Sequence, residues 1–159
     1  MGVPHSHPSQ PYSHATPAQF EQLPQNTGQG FYRYSTGDRQ WGTRDTIQTL
    51  LDLARQQVCN LPGLPIQIGD ISFRDGKHMP PHTAHRHGRN IDIRPFRKDK
   101  ALLPVTIHDA QYDRAMTELL VQSLLAHRNV HRILFNDRMI KGVHYFHGHD
   151  NHLHVETKL

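Results

Sequence analysis

Two stretches of this chain hold residues whose types and spacing can do chemistry. One contains His85, Gly88 and Asp92; the other reads Gly148-His149-Asp150-Asn151-His152-Leu153-His154-Val155. Alternate residues of a β-strand face the same side. In Asn90-Ile91-Asp92-Ile93-Arg94 the isoleucines face a core and Asp92 faces away. In His152-Leu153-His154-Val155 the leucine and valine face inward and both histidines outward. Two such strands lying side by side put Asp92, His152 and His154 on one surface. His85 can reach that surface from the preceding loop, which Gly88 allows to turn; His87 is its rival. Imidazole nitrogens and a carboxylate oxygen are zinc donors, and a catalytic zinc takes three protein ligands and keeps a fourth position for water. Either motif alone is a weak signal. Their joint presence, each on a strand of matching pattern, points to a metal centre.

The elements that must position these residues follow from periodicity and breakers. Thr43 or Asp45 can cap a helix running to Cys59, with Ile47, Leu50, Leu51, Ala54 and Val58 on its apolar face. The run Leu61-Pro62-Gly63-Leu64-Pro65 ends it. Residues 66–73 read as a strand. A loop with His78, Met79, Pro80, Pro81 and His82 leads to His85, and the paired prolines stiffen it. Asp109 can cap a second helix over residues 110–127, its buried face formed by Tyr112, Met116, Leu119, Leu120, Val121, Leu124 and Leu125. Residues 130–135 form a third strand, 139–146 a short strand or hairpin arm, and 152–156 the last strand. Strands and helices that mix without regular alternation indicate an α+β fold. The expectation is a small antiparallel sheet carrying the site, flanked by two main helices. Phe31-Tyr32-Arg33-Tyr34 and Trp41 are aromatic groups that pack at the domain edge or line a groove, packing being the commoner role.

Composition narrows the remainder. Residues 1–30, rich in Pro, Gln, Ser, Gly and His, read as a flexible polar lead including His5, His7 and His14; residues 31–159 read as one domain. The formal net charge of +4 and pI of about 9.5 suit an anionic partner. The charges are scattered, and no recognition helix or aromatic platform stands out, so no nucleic-acid partner is expected. No apolar run is long enough to span a membrane, and no secretory signal is visible at the start. Cys59 is the single cysteine. It cannot form an intrachain disulfide and reads as a small buried residue.

At these motifs the chain resembles the LAS group of metallopeptidases, which includes lysostaphin-type and D-Ala-D-Ala carboxypeptidase-type enzymes. Within the group it is most similar to the penicillin-insensitive murein endopeptidases. The matching text is Ile68-Gly69-Asp70, His85-Arg86-His87-Gly88-Arg89-Asn90-Ile91-Asp92 and residues 148–155, within a likeness covering residues 66–156. The resemblance implies a zinc peptidase domain over residues 31–159 with one Zn2+ per chain, held by His85, Asp92 and His154. It implies that His152 orients or deprotonates water and that His149 stabilises the transition state or shuttles a proton. From their positions alone, His78, His82, His87, His144 and His147 either lie just behind the ligands or face substrate, or are plain loop histidines beside the site. The implied activity is murein endopeptidase cleavage of D-amino-acid cross-links in peptidoglycan, acting in the periplasm or cell wall. Secreted members of the family carry signal peptides and disulfides, and this chain shows neither. Delivery by a secretion or injection system, by phage lysis, or from a chain trimmed of its signal is then expected, with an immunity protein as partner in the case of an injected toxin. The alternatives are a D,D-carboxypeptidase of the same fold, a zinc-containing wall-binding module that does not cleave, and a histidine-rich metal buffer. The presence of both His149 and His152 favours the enzyme over the binding module.

Overall fold

The structure, a computed structural model, describes residues 19–25 and 30–159. Part of the stretch expected to be a flexible lead is ordered. Phe20 and Leu23 are buried, and β1 (Glu21–Gln22) pairs antiparallel with β3 (Trp41–Gly42). His5, His7 and His14 lie outside the described residues. The other elements are β2 (Phe31–Arg33), α1 (Arg44–Asn60), β4 (Ile66–Ile68), β5 (Asn90–Ile93), α2 (Arg114–Ala126), β6 (Val130–Leu134) and β7 (Leu153–Thr157).

Two helices and two sheets give the α+β architecture expected. The larger sheet has five strands in the order β2-β4-β5-β7-β6. It is mixed, where an antiparallel sheet was expected. β4, β5, β7 and β6 pair antiparallel, but β2 and β4 run parallel. The reason is α1, which lies between β2 and β4 in the chain and acts as the crossover that a parallel pair requires.

Side chains from both helices and from one face of the sheet form a single core. It joins Ile47, Leu50 and Leu53 of α1 and Leu120, Val121 and Leu124 of α2 to Ile91, Ile93, Leu153 and Val155 of the central strands. Asp92 and His154, one residue out of phase, face the other side.

Several local expectations shift. The Thr43 side chain caps α1, accepting a hydrogen bond from the Thr46 N–H. The buried stripe runs through Leu53 and Gln57, and Val58 is 47% exposed. Cys59 is exposed rather than buried: it lies about 200° round the helix from Gln57, which faces inward and donates to the Leu64 carbonyl at 2.6 Å. α2 starts later than expected, at Arg114, capped by Asp113 accepting from the Met116 N–H. Asp109 instead accepts from the Thr106 N–H, and Leu119 is exposed. β4 stops at Ile68. Residues 139–146 form turns with one bridge, Leu134 to His144, in place of a strand. No helix among the described residues is long and apolar enough to cross a membrane.

Asp137 anchors the segment after β6. It accepts from Tyr112 Oη (2.6 Å), Arg114 Nε (2.8 Å) and the Met139 N–H (3.0 Å), and is itself buried. Burial alone would raise its carboxyl pKa, but Arg114 and Tyr112 outweigh burial and hold it below the ordinary value. A carboxylate depressed in the folded state stabilises above its unfolded pKa, and that contribution is lost as pH falls through the folded value. Asp137→Ala is therefore expected to cost about 1–3 kcal/mol near pH 7, since the Tyr112 hydroxyl loses its acceptor. Urea unfolding followed downward from pH 7 should show the gap to the wild-type protein closing below about pH 4. A gap independent of pH would refute the ionised role.

Candidate metal centre

β5 and β7 are neighbours in register: Ile91 opposes Val155, Asp92 opposes His154 and Ile93 opposes Leu153. The alternation read from the sequence thus puts Asp92 and His154 side by side on the face away from the core. Both are nearly buried, at 7% and 6% exposure, with His82, His85 and His152 beside Asp92 and the His149 ring against that of His154.

His85 completes the group from its loop and is 1% exposed. Gly88, which follows it, has φ +67°, and a Cβ there would lie 2.8 Å from the Thr43 nitrogen. The turn therefore needs glycine, and its carbonyl accepts from the Thr43 N–H at 2.9 Å. His85 Nδ1–H donates to the Ile71 carbonyl at 2.7 Å, which fixes the tautomer and leaves Nε2 as a bare acceptor. His154 is oriented in the opposite sense. Its Nε2–H donates to Asn90 Oδ1 at 3.0 Å, so Nδ1 is the free nitrogen.

Three imidazole nitrogens converge on one carboxylate oxygen, Asp92 Oδ1: His85 Nε2 at 3.2 Å, His154 Nδ1 at 3.7 Å and His152 Nε2 at 3.7 Å. His85 Nε2 and Asp92 Oδ1 are buried with no hydrogen-bond partner among the described residues. Two acceptors facing each other in a buried site call for a cation between them. Donors bound tetrahedrally at about 2.0–2.2 Å from zinc lie roughly 3.3–3.6 Å from one another, which is close to these separations. Two separate triads, His82-His85-Asp92 and His149-His152-His154, each have ligand atoms within 4.8 Å of one another, and the expected ligands divide between them, His85 and Asp92 in the first and His154 in the second. The buried His and Asp groups can hold a metal ion, and the donor set fits zinc.

The surroundings set the charge states. Burial pushes His152 down to about 4, against the pull of Asp92, so its ring is neutral at pH 7. His152 Nδ1 is held by Asn151 Oδ1 at 2.7 Å, and His149 Nδ1 by the Phe146 and His147 carbonyls at 3.0 and 3.1 Å. Both rings thus keep Nε2 free, with centroids 4.7 Å apart.

The remaining histidines divide. His82 joins the centre, with its ring 4.1 Å from that of His85 and its Nε2 3.6 Å from Asp92 Oδ2. A groove of about 320 Å³ holds His82, His85, His149, His152 and His154 together with Phe146. His87 lies elsewhere, in a separate hollow with Arg89 and His131. His147 contributes its backbone carbonyl to His149, while its side chain is exposed, as are those of His78 and His144.

Sequence reasoning assigned no role to three residues that hold this site in place. Asp70 binds Arg39 through both carboxylate oxygens at 2.8 Å, accepts from Ser35, and holds His82 Nε2 at 2.8 Å. Burial alone would raise its pKa, but these partners outweigh it and hold Asp70 well below the usual range. Asn136 shapes the loop that carries His149. It donates to Asp150 Oδ1 at 2.7 Å, accepts from the Phe146 N–H at 2.9 Å, and its own N–H reaches the His149 carbonyl at 3.0 Å. Asn90 accepts from His154 and donates to the Ala84 carbonyl at 2.6 Å, tying one donor to the loop bearing another. The one local signal for Asp70 was a charged residue set between the apolar Ile68 and Ile71. Nothing local marked Asn90 or Asn136.

Asn90→Ala is expected to lower zinc affinity about 10–100-fold, the usual loss when a partner of a ligating histidine is removed. Asn90→Asp keeps the acceptor and should retain most of it. Competition with a chromogenic chelator measures both, and equal affinity in wild type and Asn90→Ala would exclude the role. The chain matches no protein-family model and no curated protein.

Proposed function

We propose that this chain is a zinc-dependent peptidase that cuts D-amino-acid peptide cross-links in peptidoglycan. The observation that carries this reading is the pair of buried, unpartnered acceptors, His85 Nε2 and Asp92 Oδ1, 3.2 Å apart and beside the His154 Nδ1. His85, Asp92 and His154 would hold the metal. When bound, zinc lowers the pKa of its water toward neutrality and polarises a carbonyl.

The protein's own groups supply the rest. The neutral His152, with Nε2 turned toward Asp92, is placed to accept a proton from water. His149 presents a free Nε2 next to His152 and, once protonated there, is placed to return a proton or to stabilise developing negative charge. Asp70 and Arg39 keep His82 turned into the groove. The net positive charge favours an anionic wall polymer.

Digestion of purified cross-linked peptidoglycan, with products weighed by mass spectrometry, tests this reading. Loss of cross-linked dimers with gain of monomers, abolished by a chelator and restored by zinc, is the expected result. Release of terminal D-alanine alone would make the enzyme a carboxypeptidase. One firmly bound zinc with no cleavage would make the domain a binding module.

A further inference from the structure

An open hollow of about 810 Å³ lies outside the metal centre, lined by Trp41, Phe73, Asp38, Asp75, Arg74 and Lys77. Two aromatic rings, both part-buried, are part of the lining. Each ring is held in place. The Arg74 guanidinium sits 5.1 Å from the Trp41 centroid and that of Arg39 sits 5.4 Å from Phe73. The backbone beneath is pinned by the Trp41 N–H to the Ser72 carbonyl at 3.0 Å and the Ile71 N–H to the Arg39 carbonyl at 2.8 Å. Asp38 and Asp75 supply acceptors and Arg74 and Lys77 donors, with Lys77 Nζ 3.5 Å from Asp75 Oδ2 in an exposed pair that a ligand's polar groups can join. Two negative and two positive groups cancel, which suits a neutral ligand and not a polyanion. Each ring has one face under a guanidinium; the opposite face can take the C–H face of a pyranose, and the surrounding charged donors and acceptors serve hydroxyl and acetamido groups.

The hollow adjoins the metal centre. Arg39 grips Asp70, the partner of His82, and donates to the Pro80 carbonyl at 3.1 Å. His78 lines the hollow while His82, in the same loop, lines the reactive groove. One loop thus separates the two.

We propose that the Trp41–Phe73 hollow binds the sugar strand of the wall polymer, as a neutral N-acetylated oligosaccharide, beside the groove that takes its peptide. The proposal extends the peptidase reading by giving the same polymer a second point of contact, and it rests on that reading for the identity of the sugar.

Trp41 is the only tryptophan in the chain, so its emission reports on the hollow directly. The probe is the β-1,4-linked tetramer of N-acetylglucosamine, titrated into the full chain. A saturable change in Trp41 emission is expected. By calorimetry, Phe73→Ala should weaken binding about tenfold, the order of losing one aromatic contact. The exposed Asp75→Ala, which leaves both rings in place, should weaken it by a smaller factor. A chelator added to the wild-type chain should leave tetramer binding unchanged. No saturable change would overturn the proposal, as would a response to heparin but not to the tetramer, or loss of binding on chelation. Tetramer binding without any cleavage of peptidoglycan would sink the peptidase reading and leave the sugar site standing.

Discussion

Replacing His154 with alanine is expected to abolish tight zinc binding and to slow peptidoglycan cleavage on the order of a thousandfold, the rate equivalent of losing several kcal/mol of metal-based stabilisation. His154 is one of three imidazoles around Asp92 Oδ1 and is among the buried donors. Its removal leaves His85 and Asp92 as a two-donor remnant that holds metal loosely. Stability gives a second, independent readout. A ligand that binds only the folded state stabilises it by about 4.1 kcal/mol at a thousand times its Kd. For a domain of this size that corresponds to a rise in Tm of roughly 10 °C. Zinc should therefore raise the Tm of the wild-type protein by about that much and barely move that of His154→Ala. Full wall-lytic activity in the variant would refute the ligand assignment. An unchanged zinc shift with lost activity would transfer His154 from the metal to the chemistry.

His152→Gln should give the opposite pattern, with zinc retained and turnover lowered about 10²–10⁴-fold, the usual worth of a positioned general base. His152 stands at the edge of the centre with its Nε2 3.7 Å from Asp92 Oδ1 and its other nitrogen committed to Asn151. Glutamine approximates the size and polarity of the ring but cannot accept and return a proton in the same way. The loss should appear in kcat more than in KM, because His152 acts on water and not on the peptide. Zinc content is measured by metal analysis on the same preparation. If His152→Gln instead lost its zinc while His154→Ala kept it, the two histidines would exchange roles. That exchange is geometrically meaningful, since both present a nitrogen at 3.7 Å from the same oxygen.

Both experiments address residues that the pattern of the chain itself marks. The alternation Ile91-Asp92-Ile93 against Leu153-His154-Val155 is a property of the sequence, because successive strand residues must face opposite ways. It marks which side of each strand is polar, and the two strands pair as that pattern suggests. The need for glycine at position 88 was equally local, as its positive φ shows. The α+β class also followed from the unequal run of helices and strands. The parallel β2–β4 pair did not, because whether a crossover reverses the chain depends on where a helix packs. Cys59 was misplaced for a related reason. Gln57 faces inward and donates to the Leu64 carbonyl across the following turn, a contact that residue type alone does not record, and Cys59, two positions on, faces out.

The sequence by itself determined the donor types, their faces and the small number of strands that present them, all of which depend on the regular geometry of neighbouring residues. Tertiary structure alone decided which nitrogen of each histidine is free, through Ile71 for His85 and Asn90 for His154. It also placed His87 outside the site, drew Asp70 and Arg39 in behind His82, and left Trp41 at an open hollow. Asn90 and His154 are 64 positions apart, and Arg39 and Asp70 are 31 apart. Such contacts exist only once the sheet has closed the intervening loops, so no local pattern encodes them.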